Sequence, residues 1–263
     1  MLPIVDFCGL KVTRLIIGAN PFGGFSHQNT RRDAEMMTYH TVDRIIETWK
    51  RAEAAGINTF ITNNETDHVL QAVRQYLSSS GALQWIAQLN CRKNASMSDA
   101  IDQAAAIGCK ALYFHGGLVD KAYTEKDEAA ICAWFKHARS RGIPAGVAGH
   151  APVVHRWVDS LGIADFHVVC FFNCGSLHAG KGHEFKLEDI DAAVKAICRI
   201  RKPCIAYKIM AAGRIDPLMA FEYAFDHIKP GDVVNVGVHR GDKDNMVEEN
   251  AAIVQEILGG PSR

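Results

Sequence analysis

No CxxC pair occurs among the eight cysteines of this 263-residue chain. They are scattered, at Cys8, Cys91, Cys109, Cys132, Cys170, Cys174, Cys198 and Cys204, several inside apolar runs. That spacing argues against a disulfide framework and describes buried thiols in a reducing compartment. HxxxH and HExxH are also absent, so no helix carries the usual pair of zinc-binding histidines. No stretch of 18 apolar residues exists, and a membrane-spanning helix is not expected. The opening MLPIVDFCGL lacks a basic region followed by an apolar run, so the expectation is a soluble cytoplasmic protein. The 29 basic and 29 acidic residues cancel, which gives no reason to expect nucleic acid or an acidic membrane as partner. The expected partner is a small-molecule substrate, with self-association left open.

No Ser/Pro-rich linker or change of composition divides the chain. What fills it is alternation. Short apolar runs read as strands at Leu15–Asn20, Thr59–Thr62, Trp85–Leu89, Ala111–His115, Ala145–His150, Phe166–Asn173, Cys204–Met210 and Val233–His239. Continuous apolar character suits parallel strands covered on both faces. A helical pattern follows each. Ala34–Ala55 reads as one helix, Thr124 to Asp127 as the cap of a helix over Ala129–Arg141, and Asn245–Leu258 as the last helix. Gly56, Gly142 and Gly162 close helices where a left-handed residue is needed. Eight strands alternating with helices predict an α/β fold, a single (β/α)8 TIM barrel over residues 1–263. A doubly wound sheet would need a glycine-rich nucleotide loop after strand 1. The segment Gly18 to Gly24 is not GxGxxG and carries Pro21.

In such a barrel, chemistry gathers at the carboxyl ends of the strands. Those ends offer Asn20 and His27, then Asn63, Asn64 and Glu65, then Gln88 and Asn90, then His115, His150, Asn173 with Cys174, Lys208, and His239 with Arg240. Polar residues at all eight ends predict a pocket, with Asn20, Asn63, Gln88, Asn90 and Asn173 as substrate-binding groups. His155 reads as a helix-surface residue and His167 as a strand-packing one. The glycine-rich stretch 174–185 reads as a loop over the mouth.

Several of these segments resemble the aldo-keto reductases, along nearly the whole chain. GLKVTRLIIG (9–18) with FGG (22–24) is similar to that family's opening, and GINTF (56–60) to its second strand. LYFH (112–115) is similar to the strand carrying the family's catalytic His, YKIMAAG (207–213) to its seventh-strand turn, and VGVHRGDKDNMVEEN (236–250) to its cofactor-phosphate segment. The resemblance implies a barrel and, at Arg240, Lys243 and Asn250, a nicotinamide dinucleotide phosphate (NADP). It carries over only one catalytic position, His115. Ile61 stands where the family has Asp, Thr66 near its Tyr, and Gln88 or Leu89 near its Lys. Thr is too weak an acid to protonate a carbonyl oxygen as hydride arrives. Gly149-His150 and Cys170 stand at the positions that clamp the nicotinamide in the family.

The expected function is therefore an enzyme that kept the barrel and changed the chemistry. Acid–base work such as elimination, isomerisation or hydrolysis, on a small hydroxy-carbonyl or sugar-like compound, would use His115, His150 and Lys208. A nicotinamide-dependent reductase with a rearranged acid, and a non-catalytic ligand-binding barrel, remain as alternatives. Lys208 could form a Schiff base or hold a phosphate or carboxylate. Arg240, Lys243 and Asn250 together suit an anion. His115 and His150 could instead bind a divalent metal, with Cys174, His27, Glu65 or His183 as further ligand.

Overall fold

The computed structural model describes residues 1–173 and 185–260. It opens with an antiparallel hairpin, β1 (Ile4–Phe7) and β2 (Leu10–Thr13), which the sequence pattern did not signal. Eight parallel strands follow: β3 (Leu15–Gly18), β4 (Thr59–Asn63), β5 (Gln84–Leu89), β6 (Ala111–Phe114), β7 (Ala145–Gly149), β8 (Phe166–Cys170), β9 (Cys204–Tyr207) and β10 (Val233–Gly237). They pair in chain order, and β10 pairs with β3 in the register Val234↔Leu15 to Gly237↔Gly18, closing the barrel. The expected (β/α)8 barrel is what forms.

Two apolar layers hold it. Inward-facing Ile16, Ile61, Ile86, Ala111, Val168, Ile205 and Val233 form one cluster with Phe7 and Val12 of the hairpin. The hairpin therefore plugs the end of the barrel at which the strands begin, with Phe7 against Phe166 at a ring separation of 5.1 Å. Outward-facing strand residues pack under the helices, around Trp49, Phe60, Tyr76, Trp85, Phe114 and Phe221. Branched residues fit a doubly covered strand, because their stiff side chains lose little on packing between sheet and helix.

The helices are α1 (Thr30–Tyr39), α2 (Val42–Ala54), α3 (Asp67–Ser78), α4 (Met97–Ile107), α5 (Gly116–Glu125), α6 (Glu128–Ser140), α7 (Pro152–Leu161), α8 (Leu187–Arg199), α9 (Pro217–His227) and α10 (Met246–Gly259). The stretch expected as one helix from 34 to 55 is two. His40 leaves helical geometry, and the Thr41 hydroxyl accepts from Arg44 N–H to start α2. The apolar spacing runs through the break, which hid it. Thr124 caps nothing: it lies inside α5 with its hydroxyl donating to Asp120 O, and Asp127 caps α6. Gly56, Gly142 and Gly162 do follow their helices with positive φ. His155 is buried beside His167, not on a helix surface, because it falls on the same inward stripe of α7 as Val154 and Val158. No helix among the described residues is long and apolar enough to cross a membrane.

Candidate functional site

The carboxyl ends of β3, β4, β9 and β10 surround a cavity of about 630 Å³. Asn20, Asn63, Gln88, Lys208, Lys243 and Asn250, all expected at the site, line it. Asn63 does so at the end of β4, where its Oδ1 accepts from Glu65 and Thr66 N–H, both at 2.9 Å. Gln88 Oε1 accepts from the Tyr113 hydroxyl at 2.8 Å. Lys208 does not lie in a strand. It is the first residue after β9 and has φ 59°, a left-handed conformation that opens the turn to Gly213. His27 also lines the cavity, with its Nε2 at 3.4 Å from Asn20 Nδ2.

Other expected residues are elsewhere. Asn90 is buried outside the cavity wall, exchanging backbone bonds with the Asn64 amide. Asn173 borders a separate 80 Å³ pocket beside His150. Arg240 turns away from the cavity toward α2. Its guanidinium bonds Glu47 and Asp244, each at 2.7 Å, and Thr48 at 3.3 Å. Glu47 on α2 and Asp244 in the turn before α10 hold that charge on the side away from the cavity. Lys243 is paired with Glu249. Cys174 and His183 lie outside the described residues.

His115 and His150 stand beside the cavity, not in its wall. Each is the first residue after its strand, on the adjacent β6 and β7. His115 caps α5, and its Nδ1 accepts from Gly117 N–H at 3.1 Å. Its remaining proton therefore sits on Nε2. Burial, with the charges of His150, Arg92 and Lys208, lowers its pKa to about 4, so the ring is neutral at pH 7. His150 is held differently. Asp120, one turn into α5, takes its Nδ1 at 2.5 Å and accepts from its backbone N–H at 3.2 Å. A proton shared with Asp120 on Nδ1 leaves the lone pair on Nε2. Asp120 is the group that reading the strand ends missed. A weak signal existed: Gly116 and Asp120 share a helix face, being four residues apart.

Among the described residues, which leave out Cys174 and His183, three metal-ligating side chains gather away from His115 and His150. Glu35, His239 and Asp242 bring their ligand atoms within 4.8 Å of one another. Two further hydroxyls face the cavity, Tyr113 and Tyr207. Burial raises the pKa of both, and Cys170 and Tyr113 add to the rise at Tyr207.

Fold and geometry together define a (β/α)8 barrel with a cavity at its mouth, lined by apolar side chains among which polar groups are set. Solved structures share the fold at low identity. A Pseudomonas aeruginosa protein assigned as an aldo-keto reductase matches with TM-score 0.65 and 17% identity, covering 97% of this chain and 94% of that one. Orotidine 5′-monophosphate decarboxylase of Methanocaldococcus jannaschii matches with TM-score 0.59 and 11% identity, covering 95% and 100%. The 3-hexulose-6-phosphate synthase of Salmonella typhimurium matches with TM-score 0.57 and 14% identity, covering 94% and 99%. No protein-family profile matches the chain, and no curated protein sequence does.

Proposed function

We propose that the chain is an acid–base enzyme that moves a proton at the carbon next to the carbonyl of a small polyhydroxylated compound. One observation carries this reading: the neighbouring imidazoles are set in opposite senses. His115 presents Nε2–H, a hydrogen-bond donor. His150 presents Nε2 as a base, with Asp120 fixing its tautomer and stabilising the imidazolium it becomes. A neutral histidine at a helix start that polarises a carbonyl, beside a separate base, is a known division of labour for enolisation.

In the reaction, His150 Nε2 takes the proton from carbon. The C–H electron pair becomes the carbon–carbon double bond, and the carbonyl π pair moves to oxygen. His115 Nε2–H and the Lys208 ammonium stabilise that oxygen. For isomerisation, the hydroxyl proton on the adjacent carbon passes to the former carbonyl oxygen and His150 returns its proton to the former carbonyl carbon; for elimination, the β-hydroxyl leaves as water with the proton that His150 took. Asn20, Asn63 and Gln88 supply amides for the substrate's hydroxyls.

The reductase reading draws support from the cavity's position over β9 and β10. Two features weigh against it. Asp242 and Glu249 line the same end and oppose the charge that Arg32 and Lys243 would offer a dinucleotide phosphate. Burial raises the pKa of both cavity tyrosines, which works against their serving as the acid.

The test is deuterium uptake. A panel of hydroxy-ketones and aldoses is incubated with the protein in D2O, and the proton next to the carbonyl is followed by NMR. Uptake with at least one compound is expected, with His150→Ala and Asp120→Asn slowing it roughly 10²–10⁴-fold. No uptake, together with oxidation of a reduced nicotinamide dinucleotide by the same carbonyls, would establish the reductase instead.

A further inference from the structure

Away from the histidine pair, where β10 gives way to α10, a third histidine faces two carboxylates. His239 is 3% exposed. Its Nδ1 is 2.9 Å from Nε2 of His40, the residue that breaks α1 from α2. Its Nε2 is buried with no hydrogen-bond partner among the described residues. That nitrogen points at Glu35 Oε1, 3.7 Å away, and the Asp242 carboxylate completes the group within 4.8 Å. A buried imidazole nitrogen left without a hydrogen bond is destabilising unless something binds it.

The ring cannot turn aside. Tyr39 stands edge-on to it at 5.0 Å, and His40 lies on another side. At Gly241 the backbone comes so close that a Cβ would sit 2.7 Å from His239 Nε2. The two carboxylates are reachable, at 54% and 47% side-chain exposure, and both His239 and Asp242 line the large cavity.

We propose that His239 Nε2, Glu35 and Asp242 form a binding site for a divalent transition-metal ion, zinc being the best match. One imidazole nitrogen and two carboxylates are a three-ligand set, and a tetrahedral ion keeps its fourth position for water or a cavity ligand. The imidazole favours zinc over magnesium, which prefers oxygen alone. His40 supplies the support such a ligand needs, accepting the Nδ1–H of His239 so that the Nε2 lone pair faces the ion. In the metal-free protein the opposite tautomer is favoured, because a lone pair facing two carboxylates is repelled. His40 Nδ1 lacks a hydrogen-bond partner among the described residues in either arrangement, so it does not decide between them.

Arg32 is the competitor. Its guanidinium bonds Glu35 at 2.7 Å and also bonds Asp242. It gathers the two carboxylates with a charge that a metal ion would replace. Metal loading therefore releases Arg32 toward the cavity it already lines. This site stands apart from the proposed acid–base chemistry, and its test does not depend on that reading.

The experiment is calorimetric titration of zinc, and of magnesium in parallel, into the full chain made without a histidine tag. Zinc should bind at one-to-one stoichiometry and magnesium should not compete. Glu35→Gln and Asp242→Asn change exposed side chains and leave the core intact; each should weaken zinc by about tenfold or more. Arg32→Met should tighten it. Nitrogen-15 spectra should show the His239 tautomer change on loading. Three results would overturn the assignment: no saturable zinc binding by the parent or by Arg32→Met, binding that Glu35→Gln and Asp242→Asn leave unchanged, or weaker binding in Arg32→Met.

Discussion

At the scale of single residues, Gly116 has an outsized place. A methyl group on its α-carbon would sit 2.9 Å from His150 Cε1, so the imidazole rests on the space glycine leaves. Gly116 has no positive φ, and alanine suits the first turn of a helix. Gly116→Ala should therefore fold normally while pushing the ring off Asp120. Deuterium exchange at the substrate should fall at least tenfold with the circular dichroism and melting temperature nearly unchanged. A parental rate would place His150 outside the chemistry. The same neighbourhood shows what a sequence displays at this scale. Asn20, Asn63, Gln88 and Lys208 reached the cavity because strand ends can be read from apolar runs. Asp120 was hidden because an aspartate inside a helix looks like any solvated surface residue. Arg240 misled for a related reason: a cation beside a strand end suits an anion site equally well whether its partner is a ligand or, as here, Glu47 and Asp244.

At the scale of elements, the turn after β9 is the least relaxed part of the barrel mouth. Lys208, Ala211 and Ala212 have φ of 59°, 48° and 57° without being glycine. A left-handed conformation costs an L-residue about 1–2 kcal/mol. Ala212→Gly should relieve about 1 kcal/mol and raise the melting temperature by about 2–4 °C in a chain of this size. Differential scanning calorimetry checks it, and a lowered melting temperature would mean that the turn does not hold this shape. Element boundaries were harder to read than element order. The apolar pattern of α1 continues into α2 across the break. Only Thr41, followed by Asp43 in the first turn, marks a new start. The β1–β2 hairpin was missed because its strands are four residues long and half exposed. Runs that short carry little periodicity.

At the scale of the whole molecule, the interior stores neutral histidine. Burial lowers the pKa of His40 to about 3, of His155 to about 4 and of His167 to about 3. In the unfolded chain each titrates near 6.5. Between those values the unfolded state takes up protons that the folded state refuses. The stability these groups permit is thus complete above pH 6.5 and declines as pH falls toward 4, by up to about 1.4 kcal/mol per pH unit for each. Melting temperatures measured from pH 7.5 to 4.5 should fall steeply, and His167→Phe should flatten the slope. A flat parental profile would show that these rings are protonated in the fold. The barrel itself was readable at this scale because eight apolar runs repeat with helical spacers between them. The histidine interior was readable only in part: His167, inside an apolar strand run, reads as the packing residue it is, whereas nothing in the sequence neighbours of His40 or His155 tells which way its helix faces.

The pairing that closes the barrel also sets a constraint on synthesis. Leu15 to Gly18 find their second neighbour only when Val234 to Gly237 arrive, by which time most of the chain has been made. Until then β3 is an open edge, with Ile16 and Ile17 exposing backbone donors and acceptors that any other strand could take. Seven strands can assemble as they emerge, each on the one before, but the last step joins the two extremes of the sheet. Such long-range contacts form slowly. A ribosome stalled before residue 233 would therefore hold a curved, unclosed sheet. For this protein the interval before closure is when association with a second nascent chain competes most directly with folding.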